Sequence, residues 1–386
     1  MLAGLEQTAR SVRWSATVCV LVFVPALSIF SPPAVRAQSA ARRQTVEERQ
    51  LEQKQREEGE SILALADAAM AGKAVPSDFR VEWHNDFVKA QRGTFVPFTL
   101  TIDASQLSRP LALVYVRATR RSMLASVAKP GRSNRNGRGD PERDRAAEES
   151  AYPVDAIFPV ELPAGGEAPR ISRGFSVMPG EYDVFVVMRE RVDPATPRTR
   201  PKASVLRQVL SVPDFRTGEL TTSSVMLADR LDVLTEPVPA DRLPERPYAI
   251  GRNEITPAAD RRFGRDEELI VVFLVYNPMV TPERQFDVRV EYHFFRKVAG
   301  AAPETASGPH PPGRMGEEYF NRTDPQRFNP ALMGTAFDPG TGEPVMAGQV
   351  VPLAGFAVGE YRLDVQVTDL LSGKSISRDV VFTVGS

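Results

Sequence analysis

A short stretch that occurs twice limits what this chain can fold into. Gly174-Phe175-Ser176-Val177-Met178-Pro179-Gly180-Glu181-Tyr182 returns, two residues shorter, as Gly355-Phe356-Ala357-Val358-Gly359-Glu360-Tyr361. Each copy reads as strand, tight turn, strand, and each runs on to a last strand-like segment, Ala203 to Val212 or Ile376 to Val384. Both halves share one order: strand, strand, polar insertion, motif, final strand. A shared order argues for duplication of one fold unit. The expected fold is all-β, with two tandem immunoglobulin-like β-sandwiches at 77–215 and 216–386, each closed by this hairpin. Gly180 and Gly359 permit the bend, and Tyr182 and Tyr361 stand where a tyrosine corner belongs. Each phenol is expected to bond a backbone group a few residues upstream.

Alternation supports the strands. Val96, Phe98, Leu100 and Ile102 share one face of a segment whose other face carries Thr99 and Thr101. Leu111 to Thr119 is apolar on both faces, as is Leu269 to Tyr276. Phe286, Val288, Val290, Tyr292 and Phe294 form a dry face opposite Asp287, Arg289, Glu291 and His293, which form a wet one. Tyr361, Leu363, Val365 and Val367 likewise oppose Arg362, Asp364, Gln366 and Thr368. Residues 129–150 are rich in Arg, Gly, Asn, Asp and Glu and read as a disordered insertion. A long irregular insertion is expected at 300–348. The 33 prolines in 386 residues fit loops and strand edges.

The N-terminus reads as a signal peptide over 1–37. Arg10 and Arg13 precede an apolar run from Ala16 to Phe30, and Val35-Arg36-Ala37 offers a small-residue cleavage pattern. The run is short for a membrane span and holds Pro25, so no span is expected after cleavage. Export, to the periplasm or beyond the cell, follows. Cys19 is the only cysteine, so the exported chain relies on core burial rather than disulfides. Residues 38–76 form a helical arm opened by the capping box Thr45-Val46-Glu47-Glu48. Its apolar second half, with Ile62, Leu63, Leu65 and Met70, packs on the first sandwich or on a partner helix.

Candidate chemistry is sparse. Lys and Arg total 48 against 49 Asp and Glu, so no global field recruits nucleic acid. Asp103-Ala104-Ser105-Gln106-Leu107 resembles the start of an integrin-type metal site, but Leu107 supplies no oxygen. Arg138-Gly139-Asp140 lies in a loop already rich in those residues. His84, His293 and His310 show no zinc-binding spacing. With no catalytic elbow and no phosphate loop, no enzyme and no cofactor are expected. Trp83-His84-Asn85 is the best binding candidate, since aromatic and amide groups together hold a sugar or a peptide; a tryptophan opening a sandwich is more commonly core.

The run Trp83-His84-Asn85-Asp86-Phe87-Val88-Lys89, the segment Val212-Pro213-Asp214-Phe215 and the Gly-Glu-Tyr repeats resemble uncharacterised exported bacterial proteins. There, immunoglobulin-like sandwich segments accompany von Willebrand factor A-related or GWxTD modules. This chain lacks the Gly-Trp-x-Thr-Asp signature. The resemblance implies export and sandwiches and no activity. The expected role is protein–protein interaction with another exported or envelope protein; the alternatives are carbohydrate or cell-surface binding, and an enzyme of unrecognised type.

Overall fold

The computed structural model describes residues 53–121, 152–162, 168–191, 200–301, 310–334 and 336–385. The expected signal segment, residues 38–52 of the arm with the capping box, the 129–150 insertion and Arg138-Gly139-Asp140 lie outside them. The first half places β1 (Val81–Asn85), β2 (Val88–Lys89), β3 (Thr94–Ile102), β4 (Leu111–Arg120), β5 (Val154–Glu161), β6 (Arg170–Val177), β7 (Gly180–Glu190) and β8 (Ala203–Val212). The second half opens with β9 (Thr221–Thr222), β10 (Met226–Val233), β11 (Ala249–Ile250), β12 (Asn253–Pro257), β13 (Arg262–Phe263), β14 (Glu268–Tyr276) and β15 (Val288–Lys297). It closes with β16 (Glu317–Arg322), β17 (Gln326–Phe328), β18 (Val345–Pro352), β19 (Gly359–Asp369) and β20 (Ser375–Val384). The described residues are mostly strand.

Pairing repeats between the halves. β3 is flanked by β1 and β2 on one side and β6 on the other; β14 is flanked by β9 and β10 on one side and β18 on the other. The second sheet of the first half runs β5-β4-β7-β8, and its counterpart runs β16-β15-β19-β20. Register is kept as well. Arg120 faces Tyr182 and Gly180 faces Val212, while Arg296 faces Tyr361 and Gly359 faces Val384. A one-residue slip would turn every core residue to the opposite face, so this agreement constrains both sheets.

Each half closes on one apolar core. Val96, Phe98, Leu100 and Ile102 of β3 meet Val114 and Val116 of β4 and Val184 and Val186 of β7. Leu269, Val271, Phe273 and Val275 of β14 meet Val288, Val290, Tyr292 and Phe294 of β15 and Tyr361, Leu363, Val365 and Val367 of β19. Each such side chain contributes roughly 1.5–3 kcal/mol by leaving water. Helix covers residues 53–70. From Glu57 to Ser386 the chain forms one compact unit; of the other, Met1–Arg56, only 53–56 are described. Within the larger unit Ile62 and Ala66 are fully buried against Tyr115 and Val187, on the outer face of β4 and β7. Leu63 points away and is exposed. The end of the arm from Glu57 therefore packs on the first half.

Two expectations change. The repeated motif is not a hairpin: β6 pairs with β3 and β7 with β4, so the chain crosses between sheets at Met178-Pro179 and again before Gly359. The Gly-Phe part of the match is not equivalent either, because Gly174 lies within β6 and Gly355 in a turn. A side chain at Gly174 would strike the Phe95 ring at 2.4 Å. Nor is 300–348 irregular throughout. It holds β16 and β17, which pair with β15, and the start of β18. Charged and proline-flanked edge strands lack the apolar alternation that reveals central ones.

Candidate functional site

Trp83, His84 and Asn85 are each half-buried, and of the three Trp83 packs against the core. The Trp83 indole stacks on Phe98 at 4.3 Å and 13°, and its N–H donates to Asn85 Oδ1 at 2.8 Å. His84 Nε2 lies 3.3 Å from Asp86 Oδ2, a carboxylate only 2% exposed. This strand leads into the join between the halves, where Phe87 and Ser224 exchange bonds: Phe87 N donates to Ser224 Oγ and Ser224 N to Phe87 O. Asp103 caps a short turn by accepting from Ser105 N and Oγ.

The corner residues hold the crossings. Tyr182 Oη donates to Met178 O and Tyr361 Oη to Ala357 O, each at 2.8 Å and each four residues upstream. Gly180 and Gly359 sit at φ 144° and 153°, a region that favours glycine. With both phenols buried, the crossings are fixed rather than hinged.

The last residue of each central strand is a buried carboxylate that ties loops together. Glu190 accepts from Ser108 N and Lys202 N. Asp369 accepts from Met279 N at 2.8 Å, and from Leu371 N, Ser372 N and Ser372 Oγ. Hydrogen bonds to a charged group are roughly twice as strong as neutral ones, so loops 277–287 and 370–374 are held in fixed relation. Arg284 pairs with Asp338 at 3.1 Å, adding the segment after β17. The three segments line a cavity of about 420 Å³. They expose Leu332 (68%), Met279 (48%), Leu371 (40%) and Leu370 (37%). Rigid, converging loops with exposed apolar side chains form the best candidate binding surface.

The expected wet face of β15 and β19 is buried at its centre. Arg362, His293, Glu317 and Asp364 are 2%, 1%, 4% and 7% exposed. Arg362 donates to Glu317 Oε2 at 2.7 Å and to Asp364 Oδ2 at 3.0 Å, with its guanidinium 4.2 Å from the Phe295 ring. Burial alone would raise the Glu317 carboxyl, but the bonds from Arg362 and Arg314 N hold it below its ordinary value. Burial pushes His293 down, opposed in part by Glu291 and Asp364. Alternation gave these charges to solvent because it cannot see a covering segment: β16 brings Glu317, and His310 stacks on Tyr319 at 3.9 Å. Glu317 and the terminal carboxylates Glu190 and Asp369 carried no sequence signal beyond their types.

No family model matches the chain, and no curated protein matches it. Among the described residues no helix is long and apolar enough to cross a membrane. Among them too, no group of three or more His, Cys, Asp and Glu side chains is placed to hold a metal ion.

Proposed function

We propose that the chain is an exported, non-enzymatic protein-binding module of two tandem immunoglobulin-like sandwiches, preceded by a signal peptide and a helical arm. The loop end of the second sandwich docks another exported or envelope protein. The observation that carries this reading is the Asp369 clamp. It fixes two loops that carry the exposed apolar side chains Met279, Leu370 and Leu371. Pre-set loops lose less conformational freedom on docking, which is where affinity is gained. Trp83, with one ring face against Phe98, supports a protein ligand over a sugar.

The test is the double substitution Met279→Asp, Leu371→Asp in the exported chain. Both residues are exposed, so folding stability should move by no more than about 0.5 kcal/mol each. Recovery of the partner captured by the wild type from the envelope fraction should fall at least tenfold. Undiminished recovery of that partner by a folded double variant would overturn the reading.

A further inference from the structure

Where the two halves join, a cavity of about 300 Å³ opens beside the chain entering the second half. Four consecutive hydroxyl residues, Thr221, Thr222, Ser223 and Ser224, line one side, and Arg261 and Arg378 also line it. Phe87 and Phe215 supply apolar wall. The volume is at the lower end for small-molecule sites.

The polar groups are short of acceptors. A hydroxyl has one hydrogen to give and two lone pairs. Ser223 is satisfied, donating to Ser224 O at 2.8 Å and accepting from Leu274 N at 2.9 Å. Ser224 Oγ accepts from Phe87 N, and Thr221 Oγ1 accepts from Arg378 Nη2 at 3.3 Å. The hydrogens of both have no acceptor among the described residues. Thr222, 3% exposed, has no partner for its Oγ1. The Arg261 guanidinium makes no ion pair among the described residues, whereas Asp379, the carboxylate on the cavity wall, is held by both terminal nitrogens of Arg314. Unspent donors and an uncompensated cation call for an oxyanion.

Arg261 also occupies a position that its backbone disfavours. Its φ is 53°, in the left-handed region where a branched or long residue is strained and glycine is not. Two backbone bonds hold it there, Arg261 N to Ala258 O at 3.0 Å and Thr383 N to Arg261 O at 2.9 Å. A charged side chain carried on a strained backbone at a cavity wall points to use.

We infer that this junction cavity binds a carboxylate carried on an apolar body. Arg261 and Arg378 hold the anion, the Thr221 and Ser224 hydroxyls donate to it, and Phe87 and Phe215 flank the apolar part. The same chemistry is offered by a free aryl or branched alkyl acid and by a peptide C-terminus ending in an apolar residue.

The full chain is titrated calorimetrically with 3-phenylpropionate, with an N-acetylated tetrapeptide ending in phenylalanine, and with the C-terminal amide of that peptide. One or both carboxylates should bind, and the amide at least tenfold more weakly. Binding of the acid alone identifies a small-molecule ligand; binding of the peptide identifies a chain terminus. Arg261→Gly should lose the binding at least tenfold yet melt at or above the wild-type temperature, because glycine relieves the backbone. Arg378→Gln, at an exposed position, should weaken binding severalfold without unfolding the chain. Absence of binding by both carboxylates, equal binding of the amide, or unchanged binding by Arg261→Gly would overturn the inference.

Discussion

Replacing Phe215 with alanine should uncouple the two halves. The residue lies in the segment read from sequence as a boundary, yet it is 3% exposed and its ring sits 5.3 Å from Tyr276. Its cluster joins Phe87 and Val88 of the first half to Leu274 and Tyr276 of the second. Polar ties reinforce it: Lys89 N donates to Tyr276 Oη at 3.1 Å, and Lys89 Nζ to Asn277 Oδ1 at 3.4 Å. Truncating a core phenylalanine costs about 3–5 kcal/mol. The adjoining 300 Å³ cavity lets water reach the void, which favours the lower end, about 3 kcal/mol. At roughly 2–4 °C per kcal/mol for a unit of this class, the main transition should fall by roughly 6–12 °C. Because the loss falls on the join and not on either core, calorimetry should show the melt splitting or broadening. Hydrogen exchange should rise at residues 88–89 and 276–277 before it rises in β4 or β15. Phe215→Leu should lose only about 1 kcal/mol. An alanine variant that melts in one transition within about 2 °C of the wild type would show that the join is not held as described.

Glu317→Gln leaves the buried Arg362 guanidinium without its main counter-charge and should cost about 3–5 kcal/mol in urea unfolding; a loss below 1 kcal/mol would mean the cluster is solvated. Burial lowers His293, so the folded chain keeps that imidazole neutral where the unfolded chain takes up a proton. Stability is therefore intact above about pH 6.5 and declines below it, by at most about 1.4 kcal/mol per pH unit; His293→Gln should flatten that limb between pH 6.5 and 5, and an unchanged limb would exclude the residue. Asp369→Ala removes the acceptor for three backbone N–H groups and should cost about 2–3 kcal/mol, with faster exchange at Met279, Leu371 and Ser372; protection equal to wild type would refute the clamp.

Much of the strand pattern was open to reading because central strands carry their own evidence. β8 and β14 coincide with the apolar runs marked for them to within a residue, since both faces or alternate residues had to be buried. The edges were hidden for the converse reason. β5 and β16 expose much of their length and show mixed, charged residues. The repeated Gly-Glu-Tyr segment announced a bend but not its partners, because pairing across two sheets leaves no local trace; hence a crossing was read as a hairpin. Alternation also cannot distinguish a wet face from one roofed by another segment, so Arg362 and His293 were assigned to solvent. Trp83 kept two readings open because an indole that stacks on Phe98 and one that awaits a sugar have the same neighbours in sequence.

The most direct test of the loop-end docking surface is a pair of photo-cross-linkers, one at Leu371 between β19 and β20 and one at Val209 on the edge strand β8, both exposed positions. Activated in cells exporting the full chain, Leu371 should form a single covalent adduct with one envelope protein, and Val209 none. Adducts from Val209 alone would move recognition to a sheet edge, and adducts from neither position would contradict the account.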